Sequence, residues 1–316
     1  MRAAIRKNKL PADLELEGLV GWQGVTARTP ADWNLGALGG DVRSGYLRVD
    51  DEHMPRLEIK WSYGKVDTNK VLTRYLGQLG KKTRRSSQMV VQRDTHLVSN
   101  RLQPGRSLQC FSWQGDRQQA HGLIWRCQGC QRTVIAQVLG PRQQDLAPLA
   151  RAVLASLNDH DREGWYTWSL YGLAVDIPKE YELTRQQLMS GYLDLQFERG
   201  KRRLRVTRWG MAQLALRDRS LVHWVEVEHV KRRDVHWQAH ALEGDEHPAA
   251  LLAGERRRPL HWPRKQVARL LRVRAPIIFS GKVWHCAPSN RLFSVEEIHA
   301  AGEEHWPQVA GSIRCH

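Results

Sequence analysis

The sequence has no apolar segment that approaches the roughly 18–20 residues needed to span a bilayer, so no membrane partner is expected. It contains only five cysteines, an odd and sparse number that argues against a disulfide scaffold and favours a reducing compartment. The N-terminal segment is basic but lacks the apolar core of a secretory signal. We therefore expect a cytoplasmic protein.

The common catalytic and cofactor motifs are also missing. The sequence contains no Walker A loop, dinucleotide-binding glycine fingerprint, GxSxG elbow, kinase signature or HExxH pair. It also lacks the signatures of RNA-recognition motifs, KH domains and zinc fingers. Because no residue set specifies a reaction, these absences favour a non-enzymatic protein.

The chain does contain an internal repeat. The tetrapeptide SGYL at Ser44–Leu47 recurs at Ser190–Leu193. Other matches occur on both sides of it and in the same order in both halves. They are Gly24 with Gly172, Pro30 with Pro178, Trp61 with Trp209, Gly122 with Gly281, Trp125 with Trp284, Cys127 with Cys286, and Ala155-Ser156-Leu157 with Gly311-Ser312-Ile313. Ordered matches separated by insertions predict a tandem duplication, with a first copy over residues 1–158 and a second over 159–316. The polar residues 158–161 are interpreted as a surface linker, and no role is assigned to Cys315 or His316.

Each copy combines strand and helix patterns. Leu173, Val175 and Ile177 alternate as in a half-buried strand. Residues 67–80 have helical spacing, with Asp67 as the expected N-cap and Gly80 just beyond the end, and residues 144–157 form a closing helix. The order of elements predicts an α+β fold in which an antiparallel-sheet-plus-helices domain of roughly 150 residues occurs twice, related by a pseudo-twofold axis. Five tryptophans at repeat positions are predicted core residues: Trp33, Trp61, Trp125, Trp209 and Trp284.

Positive charge is concentrated in two stretches. The net charge is +16, and residues 68–93 and 256–295 contain no acidic residue while carrying seven and ten basic residues. The second stretch is interpreted as an Arg-rich insertion in the second copy. Another basic cluster, residues 199–203, lies at the turn of a predicted hairpin. Clustered Lys and Arg are typical of surfaces that contact phosphates, although an Arg-rich surface can also serve solubility alone.

These observations favour a nucleic-acid-binding protein, with DNA and RNA both open. The predicted phosphate-contacting residues are Lys81, Lys82, Arg84, Arg85, Arg202, Arg203, Arg256, Arg257, Arg258, Arg264 and Lys265, with Trp262 as a base-stacking candidate. Two alternatives remain. One is an interaction or scaffold module for an acidic protein partner, and the other is a zinc-stabilised enzyme.

The sharpest local motif is the CxxC sequence formed by Cys127 and Cys130 with Gly129 between them. Such a knuckle supplies two of the four ligands of a structural zinc ion, and Cys110, His96 and His121 are the candidates for the others. The second copy keeps Cys286 but has Ser289 where Cys130 aligns, which predicts that zinc is either peculiar to the first copy or absent. A thiol redox pair and ordinary structural cysteines are the other interpretations.

Overall fold

A computed structural model describes residues 15–64, 66–83, 89–93, 97–98, 106–160, 163–229, 235–256 and 277–315. The chain divides into two compact units, with the division between Tyr171 and Gly172. Both units consist mainly of antiparallel strands with a few helices, which confirms the mixed α+β class. No helix in the described ranges is both long and apolar enough to cross a membrane.

The first unit is built on a seven-stranded antiparallel sheet. Its strands are β1 (Gly18–Trp22), β2 (Val25–Thr29), β3 (Asn34–Gly40), β4 (Ser44–Asp50), β5 (Pro55–Tyr63), β6 (Val90–Arg93), β7 (Arg106–Gln114), β8 (Gln118–Cys127), β9 (Arg132–Pro141) and β10 (Trp165–Leu170), and its helices are α1 (Thr68–Thr83) and α2 (Ala147–Ser156). The main sheet has the order β3-β4-β5-β9-β8-β7-β6. Strands β1, β2 and β10 belong to a smaller sheet, in which β1 pairs with both β2 and β10.

The second unit has a seven-stranded antiparallel sheet of its own. The described part of the unit has eight strands, of which all but the first form this sheet. They are β11 (Leu173–Pro178), β12 (Glu182–Met189), β13 (Tyr192–Arg199), β14 (Arg202–Gly210), β15 (Val235–Leu242), β16 (Ala249–Arg256), β17 (Ile277–Cys286) and β18 (Arg291–Ala300). Its helices are α3 (Ala212–Leu216), α4 (Leu221–Trp224), which continues as a π-helical turn over Val225–His229, and α5 (Trp306–Ser312). The sheet order is β12-β13-β14-β18-β17-β16-β15. In each sheet, therefore, three sequential strands are joined to the last strand of the sheet.

Apolar residues hold the helices on their sheets. Helix α1 buries Leu72 and Leu76 against Phe111, Trp113 and Ile124 of strands β7 and β8. Burying side chains of this size stabilises a fold by about 1.5–3 kcal/mol each. This contact therefore contributes more to the stability of α1 than the helix propensity of its residues does. Four of the five tryptophans predicted for the core are buried, and the fifth, Trp209, is partly buried against the core of the second unit.

Helix α1 begins where the sequence predicts and ends later. The Asp67 carboxylate accepts a hydrogen bond from the Asn69 amide at 2.9 Å, as an N-cap does. The helix continues through Gly80 to Thr83. Because Leu79 packs with the core beneath the helix, the apolar contact extends the helix through a glycine that was expected to end it.

Two glycines at matching repeat positions allow close approach of strands. A Cβ atom on Gly122 would lie 2.3 Å from the Phe111 ring and 2.7 Å from the Ala136 carbonyl oxygen. A Cβ atom on Gly281 would lie 2.3 Å from the Val295 carbonyl oxygen. Both sheets therefore need glycine at this point.

Candidate metal centre

The CxxC sequence lies in the turn between β8 and β9. Cys127 is the last residue of β8, and its carbonyl oxygen accepts a hydrogen bond from the Gln131 amide at 3.1 Å. Gln131 has the left-handed backbone conformation, with φ of 62°, and its side-chain amide donates to the Gln128 carbonyl at 2.6 Å. The left-handed residue that closes the turn is thus Gln131 rather than Gly129, and the turn brings Cys130 back beside Cys127.

The segment after α2 brings two further donors to this turn. Asn158 forms an isolated β-bridge with Thr26, with N–O distances of 2.8 and 2.9 Å in the two directions. Its side chain also accepts from the His160 amide at 3.1 Å and donates to the His160 carbonyl at 2.7 Å. Asn158 therefore fixes the backbone that carries Asp159 and His160.

Cys127, Cys130, Asp159 and His160 form one cluster. Their donor atoms all lie within 4.8 Å of one another. Cys127 Sγ is 3.8 Å from His160 Nε2, and Cys130 Sγ is 3.7 Å from Asp159 Oδ2. Four ligands around one tetrahedral zinc ion are separated by about 3.5–3.8 Å, given Zn–S bonds near 2.3 Å and Zn–N or Zn–O bonds near 2.0–2.2 Å. The cluster therefore has the composition and spacing to hold a metal ion.

The Asp159 carboxylate is the most deeply buried charge of the cluster, with a side chain that is 0% exposed. Its Oδ2 accepts a hydrogen bond from Trp125 Nε1 at 3.3 Å, and its Oδ1 lies 3.2 Å from His160 Nδ1. This contact lets His160 present Nε2 to a metal while Nδ1 donates to the carboxylate, as histidine ligands commonly do. Burial, together with Asp159 and Cys127, raises the pKa of the Cys130 thiol to about 12.

The second unit contains a smaller cluster, formed by His247, Cys286 and Cys315. Cys286 ends β17 as Cys127 ends β8, and Cys315 follows α5 as Asp159 follows α2. His247 Nε2 lies 3.3 Å from Cys315 Sγ, and all donor atoms lie within 4.8 Å of one another. This cluster can also hold a metal ion, with three donors instead of four.

The structure does not bring the other predicted zinc ligands to the CxxC turn. Cys110 lies on β7 opposite Leu123, four residues along β8 from Cys127, and its thiol donates to the Val98 carbonyl at 3.8 Å. His121 lies six residues before Cys127 on β8, and burial lowers its pKa. His96 lies outside the described residues.

Sequence reasoning missed Asp159, His160, His247 and Cys315. Residues 158–161 read as a polar linker, yet Asp159 is only 2% exposed because its carboxylate lies beneath Trp125 and beside Cys130. One signal was present in the repeat. The match that joins Leu157 to Ile313 continues without a gap, so that Asp159-His160 aligns with Cys315-His316.

The basic residues fall into three groups. Arg202 pairs with Glu303, and Arg203 pairs with Glu198 at 3.0 Å, so both charges are offset by carboxylates. Lys81 and Lys82 lie in the last turn of α1 and Arg256 ends β16, but their side chains are outside the described part of the structure. Arg84, Arg85, Arg257, Arg258, Trp262, Arg264 and Lys265 also lie outside it.

Helix α1 nevertheless has a basic outer face within the described residues. Lys70 and Arg74 are exposed on the side opposite Leu72 and Leu76. Arg93 of β6 reaches the same helix, where its guanidinium donates to Thr73 Oγ1 at 3.1 Å. These residues belong to the acid-free stretch 68–93.

No protein-family model matches the chain, and no curated protein matches it.

Proposed function

We propose that this protein binds nucleic acid, contacting phosphates through a basic surface centred on helix α1. The observation that carries the proposal is the arrangement of α1, which is anchored by Leu72 and Leu76 and turns Lys70 and Arg74 to solvent within a stretch of seven basic and no acidic residues. A helix that is fixed to its sheet and presents cations within a stretch free of acidic residues is suited to phosphate contacts. The preceding carboxylate, Asp67, caps the start of the helix. The Arg-rich stretch 256–295 extends the same role to the second unit.

The turn between β13 and β14 is a weaker candidate for this role. Arg199 pairs with Glu180 at 2.7 Å, and Arg202 and Arg203 also pair with glutamates. A phosphate would have to displace a carboxylate from each of these arginines. We therefore expect the phosphate contacts predicted for Arg202 and Arg203 to contribute less than those of the acid-free stretches.

Salt-dependent binding tests this function. Fluorescence anisotropy with labelled single-stranded and double-stranded DNA and RNA should give affinities that fall as salt rises, because bound cations release condensed counterions. Replacing both Lys70→Gln and Arg74→Gln should reduce the slope of log affinity against log salt by about 1.4–1.8, since each lost phosphate contact removes about 0.7–0.9. The matched control is Arg199→Gln with Arg203→Gln, which removes the same charge and should change the slope much less.

The alternatives give different results in the same assay. A flat salt dependence with every nucleic acid contradicts the proposal. Equal affinity for polyglutamate and for nucleic acid of similar charge would instead support an interaction module for an acidic protein partner.

We also propose that the Cys127–Cys130–Asp159–His160 cluster binds zinc in a structural role. Two sulfurs, one imidazole nitrogen and one carboxylate oxygen suit zinc, and four protein ligands leave no position for a substrate. This closed set favours a stabilising ion over the zinc-dependent enzyme considered from the sequence. Such a site requires reduced cysteines, in agreement with the proposed cytoplasmic location.

Metal analysis tests the zinc proposal. Reduced protein should carry zinc, and Cys130→Ser should lower its content by about one equivalent. The matched control is Cys110→Ser, which removes a buried thiol outside the cluster and should leave the zinc content unchanged. A Cys127–Cys130 disulfide in the purified protein would contradict zinc and support the redox interpretation.

The two units are, we propose, copies of one duplicated domain. The two seven-stranded sheets have corresponding strand orders, because in each sheet the strand that comes last in sequence, β9 or β18, pairs with the third strand, β5 or β14. The left-handed residues Gln131 and Asn290 occupy matching turns, as do Gln23 and Tyr171. The proposed copies meet near residue 158 while the compact units divide after Tyr171, because β10 pairs with β1 through Gly21 and Ser169.

A further inference from the structure

We propose that the second unit holds its own metal ion on His247, Cys286 and Cys315, with a fourth coordination position open to the adjacent cavity. This inference does not rest on the proposed nucleic-acid binding. It would take a divalent cation of the zinc class, together with a small monodentate anion or water.

The three donors come from separate parts of the fold, and each is positioned by its own element. Cys286 ends β17 and is fully buried. Cys315 follows α5, where Arg314 forms an isolated β-bridge with Ala174 that holds the segment in place. His247 lies in the turn between β15 and β16.

The His247 turn is braced by charges. Asp245 forms an ion pair with Lys282 of β17, and its carboxylate accepts a hydrogen bond from the His247 amide at 3.4 Å. The Lys282 ammonium also lies 5.5 Å from the centre of the Trp284 ring. These contacts hold the turn against the strand that ends in Cys286. The imidazole and the Cys286 sulfur are therefore held in position before any metal binds.

The donor spacing fits a metal of zinc size. His247 Nε2 lies 3.3 Å from Cys315 Sγ, and the three donor atoms lie within 4.8 Å of one another. Two thiolates and one imidazole form a soft, nitrogen-containing set that favours zinc-class ions over magnesium or calcium.

The fourth position has no cysteine to fill it. Ser289 occupies the place that Cys130 has in the first unit, and its buried hydroxyl oxygen has no hydrogen-bond partner. A cavity of about 400 Å³ borders both His247 and Cys315. Three protein ligands beside a cavity are typical of metal sites that accept an outside ligand.

The cavity lining indicates the ligand class. Its walls include Trp284, Trp306 and Pro307, and its charged members include Lys282 and Glu246. Asp245 also lines the cavity and offsets the charge of Lys282, so the metal itself would supply the attraction for an anion. A small anion that coordinates through one atom, such as azide, is therefore a suitable probe.

Cobalt substitution tests the proposal on the full chain. Metal-stripped, reduced protein should bind about two Co²⁺ ions with the absorption of tetrahedral thiolate sites, and azide should shift the bands of one of them. His247→Ala should remove one cobalt and the whole azide response. His240→Ala, an exposed histidine on β15, is the matched control and should behave like the wild type. Cys315→Ser is a second variant, and it should also lose the azide-sensitive ion.

Three results would overturn the inference. The first is a His247→Ala protein that folds, as judged by circular dichroism, and still shows the azide response. The second is wild-type protein that binds two cobalt ions, neither of which responds to azide or to a competing thiolate. The third is peptide mapping of the protein as purified that finds Cys286 joined to Cys315 by a disulfide.

Discussion

The two units place donor atoms at the same points of similar sheets but arrange them differently. In the first unit Cys127, Cys130, Asp159 and His160 supply four donors, whereas in the second His247, Cys286 and Cys315 supply three. A cavity of about 390 Å³ borders the first turn, but Cys127 is the only one of the four donors that lines it. The second cavity is lined by two of the three donors. The two clusters therefore differ in the number of donor atoms and in how many of those donors border a cavity.

The largest expected effect comes from the two matched cysteines. Cys127→Ser should destabilise the first unit by about 3–5 kcal/mol, because it removes a metal ligand and leaves the Asp159 carboxylate buried without the cation. Cys286→Ser should cost about 1–2 kcal/mol, since the smaller site contributes less to folding. Urea denaturation measures the loss, and hydrogen exchange assigns it to a unit. Equal losses in the two units would contradict the distinction between a structural and an open site.

A second comparison concerns the charges in the middle of the two sheets. In the second unit Arg205 pairs with Asp194 at 2.9 Å and lies 3.8 Å from Glu296, and both carboxylates are buried. In the first unit the matching contact is a hydrogen bond of 2.9 Å from Gln137 to Glu58. The two sheets therefore use different charges in the same place.

Arg205→Met should cost about 3–5 kcal/mol, because it leaves two buried carboxylates without their cation. Glu58→Gln should cost about 1 kcal/mol, since a neutral amide can still bond to Gln137. Thermal unfolding of both variants checks the difference. A loss below about 1 kcal/mol for Arg205→Met would show that solvent reaches the two carboxylates.

A cysteine at position 289 should make the second proposed metal site resemble the first. Ser289→Cys should close the second site, which raises its cobalt affinity by about 10–100-fold and abolishes the azide response. Cobalt titration with absorption spectroscopy measures both changes. An azide response that persists in Ser289→Cys would show that residue 289 does not face the metal.

The smallest effect is expected at the surface. Arg203→Ala removes an ion pair with Glu198 in which both side chains are largely exposed, so it should change stability by less than about 1 kcal/mol. Chemical denaturation provides the measurement. A larger loss of stability would indicate that the aliphatic part of the Arg203 side chain packs on the turn and stabilises it more than the ion pair does.

Much of the fold could be predicted from local patterns. Alternating apolar residues located strands such as β11, and Asp67 marked the start of α1. Four of the five tryptophans predicted for the core are buried, as Trp125 shows, whereas the close approach of strands at Gly122 was not predicted. The end of α1 was missed because the contact of Leu79 with the core outweighs the helix-breaking tendency of Gly80.

Half of the first metal cluster was visible in the sequence and half was not. The CxxC spacing identified Cys127 and Cys130 because both lie in one short turn. Asp159 and His160 follow a different helix, and their polar neighbours made them look like a linker. The bridge between Asn158 and Thr26 places them at the turn, and it joins residues far apart in sequence.

By itself, the sequence determined the mixed strand-and-helix class, the positions of the acid-free basic stretches and the short turn that carries Cys127 and Cys130, because each of these depends on neighbours along the chain. The tertiary structure alone decided that Asp159 and His160 complete one cluster, that His247, Cys286 and Cys315 form another, and that Arg202 and Arg203 are paired with glutamates. The physical reason is that donor sets and ion pairs depend on strand pairing, which joins residues far apart in sequence and leaves little trace in local composition.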